Sequence, residues 1–283
     1  MAERDRALPD DRAVWDVDLR RALPPPDLTR FVTRGAGLVQ YADGLHLLVA
    51  RADGHAYCDA QLDDFHGRPH EAYRWRPPLL LEVRARLTRP QGEFCGTAGF
   101  GFWNAPFVTE RASLLAVRPP AVLWFFLASP PSQLAFAPRP GWQGQGWFAQ
   151  AVNLVGPIGG PLGLLPAGLL AVVNYVRPLR RLAMRFAPAL TARVAETALA
   201  VDPTGWHTYR LEWHPDVARF WVDDELVLGA PAPPGGPLAF VAWNDNQWAA
   251  LGPPVGYRGG IMSVPGEQTL ILAHLRLVPM NAG

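Results

Sequence analysis

The chain has 283 residues, 11% of them aromatic and 18% charged, with a formal net charge of +1. That balance gives no long-range positive field to gather nucleic acid, so no nucleic-acid partner is expected. Every cationic side chain is an arginine, which excludes Schiff-base catalysis by lysine, and two cysteines, Cys58 and Cys95, are too few for a disulfide framework or a four-cysteine zinc site.

The N-terminal stretch is charged from its third residue and lacks an apolar core, so it does not read as a secretory signal, and a cytoplasmic location is expected. Residues 1–30, with the run Pro24-Pro25-Pro26, read as an extended arm, and residues 31–283 as one β-rich domain punctuated by 27 glycines and 30 prolines. Leu45 to Ala50 follows the turn Asp43-Gly44, and Tyr57 to Leu62 follows Asp53-Gly54; both are expected strands. Leu79 to Leu87 alternates cleanly, with Leu79, Leu81, Val83, Ala85 and Leu87 on one face and Glu82, Arg84 and Arg86 on the other. Gly96 to Trp103 follows, with glycines where another group approaches the backbone. Ala121 to Leu127 is apolar on both faces, as a covered strand should be.

From Pro140 to Val176 there is no charged residue, and Arg177 to Arg193 adds five arginines and no acid. This tract reads as a helical apolar and basic insertion at about 145–200, acting as a cap over a cleft, a peripheral membrane contact or a partner-binding element. Its longest apolar piece, Leu162 to Val176, is shorter than the ~20 residues that cross a bilayer. Trp206 to Leu228 then reads as a β-meander, with His207, Tyr209, Leu211 and Trp213 sharing one face. Strand-like runs at Pro237 to Trp243 and Thr269 to Val278 complete the domain.

The phrase WHTYRLEWHPDVARFWVDDELV, together with LLLEVRARL leading into GTAGFGFW, resembles the family-16 glycoside hydrolases of the concanavalin A-like lectin and glucanase superfamily. The resemblance covers residues 31–278 apart from the insertion. It implies an all-β fold, a jelly-roll sandwich of two antiparallel sheets with a ligand groove on its concave face, here carrying a helical insertion. Members of that family place Glu-x-Asp-x-x-Glu on the strand after the Phe-Trp segment, and this chain has AVLWFFLASPPS there, without an Asp or Glu. Retaining hydrolysis needs two carboxyls ~5 to 5.5 Å apart, so ordinary family-16 hydrolysis is not expected.

Aromatic side chains in that place make the groove greasy. The expected function is to bind an apolar or amphiphilic small molecule, such as a glycolipid, isoprenoid or polyketide-like chain. A cyclase- or isomerase-type enzyme acting on such a substrate is the second reading. A glycoside hydrolase or carbohydrate-binding protein with relocated carboxylates is the third.

The expected ligand-binding residues are Trp103 and Asn104 at the end of one strand, Trp124 and Phe126 on the next, and Trp243, Asn244, Asn246, Gln247 and Trp248 in the loop with Asp245. Indoles supply flat faces and amides supply paired donors and acceptors. For acid–base work the sequence offers Asp245 and the cluster of Asp59, Asp63 and His66; Asp59 and Asp63 share a strand face and His66 stands just beyond it. No spacing matches a metal signature, a phosphate loop, a dinucleotide fingerprint or a serine-hydrolase elbow, so no metal or cofactor is expected.

Overall fold

The computed structural model describes residues 15–105, 119–136, 140–155, 193–250 and 258–281. In chain order the strands are β1 (Trp15–Asp18), β2 (Thr29–Val32), β3 (Ala36–Tyr41), β4 (Gly44–Ala50), β5 (Asp59–Asp63) and β6 (Leu79–Leu87). They continue with β7 (Thr97–Trp103), β8 (Ala121–Ala128), β9 (Gly146–Asn153), β10 (Val194–Ala198), β11 (His207–Trp213) and β12 (Val217–Val222). The last five are β13 (Glu225–Pro231), β14 (Ala239–Asp245), β15 (Gln247–Ala250), β16 (Arg258–Ile261) and β17 (Glu267–Pro279).

They build two large antiparallel sheets. One runs β13-β12-β11-β6-β17-β4-β3, with β1 pairing β17 beyond the end of β4. The other runs β10-β9-β8-β7-β14-β5-β2, and β15 and β16 form a separate ribbon. Period-two alternation decides which side chains lie between the sheets. Leu79, Leu81, Val83, Ala85 and Leu87 of β6, with Tyr209, Leu211 and Trp213 of β11, meet Phe100 and Phe102 of β7 and Leu123, Phe125 and Leu127 of β8 in one buried core. Phe125 is its hub: its ring lies 5.1 Å from Tyr209 and 5.4 Å from Phe220, across the gap between sheets.

Within the extended arm expected at 1–30, the described residues from Trp15 onward join the sandwich: Trp15–Asp18 is hydrogen-bonded to β17 and Trp15 is buried against Trp75 and Phe240. The insertion at 145–200 is narrower than expected at both ends. Gly146–Asn153 and Val194–Ala198 are paired strands of the sandwich, since the alternating side chains of GWFAQAVN have an apolar core to face on one side. The expected helices, and with them the cap and membrane-contact readings, fall on 156–192, outside the described residues. Among the described residues no helix is long and apolar enough to cross a membrane.

Candidate functional site

The outward face of the seven-stranded sheet carries a second apolar cluster, separate from the core between the sheets. Phe126, Phe148, Val241 and Trp243 are buried in it, with Trp103, Trp124 and Leu134 packed partly buried around them. Trp124 and Phe126 are stacked, 5.2 Å apart with an interplanar angle of 15°, and Trp243 lies 5.4 Å from each. Strand register explains the row. Gly99 pairs with Phe126 on one side and Trp243 on the other, and a Cβ there would stand 2.9 Å from the Trp243 ring and 2.3 Å from the Phe125 carbonyl. Without that side chain, the two aromatic rings meet over the strand.

This row floors a cavity of about 540 Å³ walled by Phe31, Val122, Leu134, Trp248 and Ala249. Its polar groups gather on β5, β14 and their neighbours: Asp59, Gln61, His66, Thr97, Asp245, Gln247 and Tyr57, with Gln150 across the sheet. Asp59 and Asp245 are directly paired across the strands and are 2% and 5% exposed. Asp245 Oδ1 accepts from the Thr97 amide (3.1 Å), the Thr97 hydroxyl (2.7 Å) and the Gln247 amide (3.0 Å). Burial raises the Asp245 carboxyl to about 6 against the pull of those donors. Asp59 has an Oδ1 that is buried without a hydrogen-bond partner; burial, then the neighbouring Asp245 charge, holds its carboxyl well above the usual range. The Tyr57 hydroxyl reaches Asp245 Oδ2 at 3.4 Å, a long contact that places the phenol at the mouth of the pair.

His66 is set from behind. Its Nδ1 lies 2.6 Å from Asp63 Oδ2, and its ring is sandwiched between Phe31 and Phe65 at 4.5 and 5.0 Å. Asp63 is fully buried and also accepts from the Phe65 and His66 amides and the Gln61 amide side chain, so it orients the imidazole and has no free acceptor to offer a ligand. No other hydrogen bond to the His66 ring occurs among the described residues, which leaves Nε2 as the nitrogen available at the cavity.

Of the residues expected from sequence, Trp103, Trp124, Phe126, Trp243, Gln247, Trp248, Asp59, His66 and Asp245 line this cavity. Asn104, Asn244 and Asn246 do not, and the reason is the alternation itself. Asn104 ties β7 to β8 by accepting from the Ala121 amide and donating to the Pro119 carbonyl. Asn244 points between the sheets and donates to the carbonyls of Leu47 and Gln268. Asn246 accepts from the Cys58 amide and donates to the carbonyls of Ala56 and Met262, fastening two loops. Asn246→Ala should therefore cost about 2–4 kcal/mol of stability by stranding these buried partners. Urea unfolding reads it, and a change within about 0.5 kcal/mol would contradict the assignment.

The sequence reading overlooked Gln150 and Glu196. Gln150 accepts from Trp124 Nε1 (2.8 Å) and donates to Glu196 (2.7 Å), so the polar edge of the central indole is tied to the sheet. The signal for Gln150 was a single amide within the apolar run WFAQAV. Among the described residues no group of three or more His, Cys, Asp or Glu is placed to hold a metal ion.

The chain has the concanavalin A-like jelly-roll fold seen in family-16 glycoside hydrolases. No family model matches the sequence, and no curated protein matches it. Among solved structures, a Crh5 transglycosylase in complex with NAG is similar over 95% of this chain and 85% of its own, with 13% identity and a TM-score of 0.51. A Bacillus licheniformis β-glucanase is similar over 95% of this chain and 100% of its own, with 11% identity and a TM-score of 0.48. A glycosyl hydrolase family 16 protein from Mycobacterium smegmatis follows at 93% and 99% coverage, 13% identity and a TM-score of 0.46. Likeness at such identities is one of fold alone.

Proposed function

We propose that this chain holds an apolar or amphiphilic small molecule, of glycolipid, isoprenoid or polyketide-like character, in the aromatic cavity and does not cleave glycosidic bonds there. The observation that carries the reading is the state of the indoles. A sugar platform needs an open ring face edged by free donors. Here the Trp124 face is covered by Phe126, Trp124 Nε1 is spent on Gln150, and Trp243 Nε1 donates to Thr97 Oγ1 at 2.9 Å. What these rings offer is hydrocarbon. The β8 strand that fronts them, AVLWFFLA, contains no carboxylate to stabilise a glycosyl cation. A volume of about 540 Å³ falls in the range of roughly 300–1,000 Å³ typical of ligand pockets.

A second reading, chemistry on that ligand, is favoured by one further observation: an oriented histidine and a buried acid pair open on the same cavity. Carbohydrate binding is the rival that the test must exclude. The neutral fluorescent probe N-phenyl-1-naphthylamine is expected to bind with a dissociation constant in the low micromolar range, about −7 to −8 kcal/mol, and to quench the tryptophan emission. Failure of the probe to bind, with a β-1,3-glucan tetrasaccharide quenching the same emission, would overturn the reading.

A further inference from the structure

We infer that the cavity catalyses a ring-forming isomerisation, in which a hydroxyl adds to an epoxide on the same apolar chain, with Asp59 as the acid and His66 as the base. The inference rests on the apolar-ligand reading above and assigns that ligand its reactive groups.

Asp59 carries an unusual combination: it is 2% exposed, it lines the cavity, and its Oδ1 has no hydrogen-bond partner. A buried polar atom without a partner costs about 1–3 kcal/mol, so a ligand group that satisfies it is bound preferentially. The two acids also divide their roles. Asp245 has three donors on one oxygen and is built to be the carboxylate, whereas Asp59 is supported only by the Tyr57 hydroxyl, with its Oδ1 unpartnered, and is built to be the neutral acid. The base comes from another direction. In the tautomer that donates Nδ1–H to Asp63, the His66 ring presents the lone pair of Nε2. His66 stacks on Phe31, which pairs with Gln61, one strand over and one side-chain row along from Asp59. Strand geometry puts the Phe31 and Asp59 backbones roughly 8 Å apart, so the imidazole that stacks on Phe31 comes to the cavity from over the neighbouring strand.

An acid and a base that approach one cavity from different directions suit an in-line displacement, where the entering and leaving oxygens lie on opposite sides of one carbon. Enolisation would ask the acid and base to reach neighbouring atoms instead. Among the described residues the lining contains no arginine as counter-charge for a phosphorylated or carboxylate substrate, and no serine or cysteine to form an acyl-enzyme. The Thr97 hydroxyl is already committed to Asp245. An alkoxide released here meets no arginine among the described lining residues and takes up a proton as it forms. In the step, the hydroxyl oxygen bonds to the epoxide carbon as its proton passes to His66 Nε2. The epoxide carbon–oxygen bond breaks, and Asp59 gives its proton to the departing oxygen. The product is a cyclic ether bearing one hydroxyl, an isomer of the substrate. Solvent returns a proton to Asp59 and takes one from His66 when the product leaves, so no oxidant, reductant or cofactor enters.

The test uses the full chain and a racemic bishomoallylic epoxy alcohol with a heptyl tail. The expected result is conversion of one enantiomer in preference to the hydroxyoctyl tetrahydrofuran, of unchanged mass, resolved by chiral gas chromatography. Asp59→Asn and His66→Gln should each slow it by about 100-fold or more, with circular dichroism reporting an intact fold. If the alcohol displaces N-phenyl-1-naphthylamine but is recovered at the buffer rate and as a racemate, the inference falls and the pocket reading stands. The inference also falls if either variant turns over at the wild-type rate. If neither compound binds, both fall together.

Discussion

Phe125→Ala is expected to destabilise the fold by about 3–5 kcal/mol, whereas Trp124→Ala, one residue away, should cost about 1–2 kcal/mol and instead remove ligand binding. The difference follows from alternation along β8. Phe125 points between the sheets, is 1% exposed, and packs its ring against Phe100, Tyr209 and Phe220. Its truncation opens a void that three rigid rings cannot refill. Trp124 points outward, half-buried, against Phe126 and Trp243 over the cavity. Its removal widens a space that is already open and deletes much of the floor. Losing that contact should weaken N-phenyl-1-naphthylamine at least about tenfold, equivalent to 1.4 kcal/mol. Urea unfolding gives one number and fluorescence titration the other. Equal stability losses, or unchanged probe affinity in Trp124→Ala, would contradict the placement of the two faces.

A second large effect concerns pH. Burial raises the carboxyls of Asp245 and Asp64 to about 6 and that of Asp59 well above its usual range, the last also under the charge of Asp245. Because these folded-state values exceed the unfolded ones, near 4, folding takes up protons between about pH 4 and 6. The associated stability is fully present below about pH 4 and is lost as pH rises through about 6. For Asp245 alone the shift is worth about 1–3 kcal/mol. Carboxyls held low, such as Asp18 beside Arg20 at about 2, weaken the fold only at more acid pH. The unfolding temperature should therefore rise by several degrees on acidification from about pH 7.5 to 5, at roughly 2–4 °C per kcal/mol for a domain of this size. In Asp59→Asn the gain should shrink, because one titrating group is gone and Asp245 no longer faces a second acid. A temperature that falls steadily over that interval in both proteins would contradict the buried pair.

Much of this was legible in the residues. Strands of strict alternation, Leu79 to Leu87 and His207 to Trp213, announced both their existence and their buried faces, because hydrophobic side chains at period two must be covered. The same rule put Trp124 and Phe126 on one face and Leu123, Phe125 and Leu127 on the other, and left open which of the two faces the groove. At Trp243 to Trp248 the same alternation divides the polar side chains between two faces. Four adjacent polar side chains at a strand end cannot share a face. Trp243 and Asp245 turn outward, so Asn244 turns into the sandwich, and Asn246 is drawn into the loops by unpaired backbone groups. The strands Trp15–Asp18, Gly146–Asn153 and Val194–Ala198 were hidden for another reason. They are short, or rich in alanine and glycine, and their pairing is decided by partners more than 40 residues away in sequence for Gly146–Asn153 with Val194–Ala198, and at the other end of the chain for Trp15–Asp18. Local propensity cannot see such partners.

Calorimetric titration of the full chain with N-phenyl-1-naphthylamine, and separately with a β-1,3-glucan tetrasaccharide, puts the central claim to its most direct trial. Grease in place of acid on β8 predicts micromolar binding of the probe with a negative heat-capacity change, the mark of buried apolar surface, and no heat from the sugar at about millimolar concentration. Saturable binding of the tetrasaccharide that excludes the probe would contradict it.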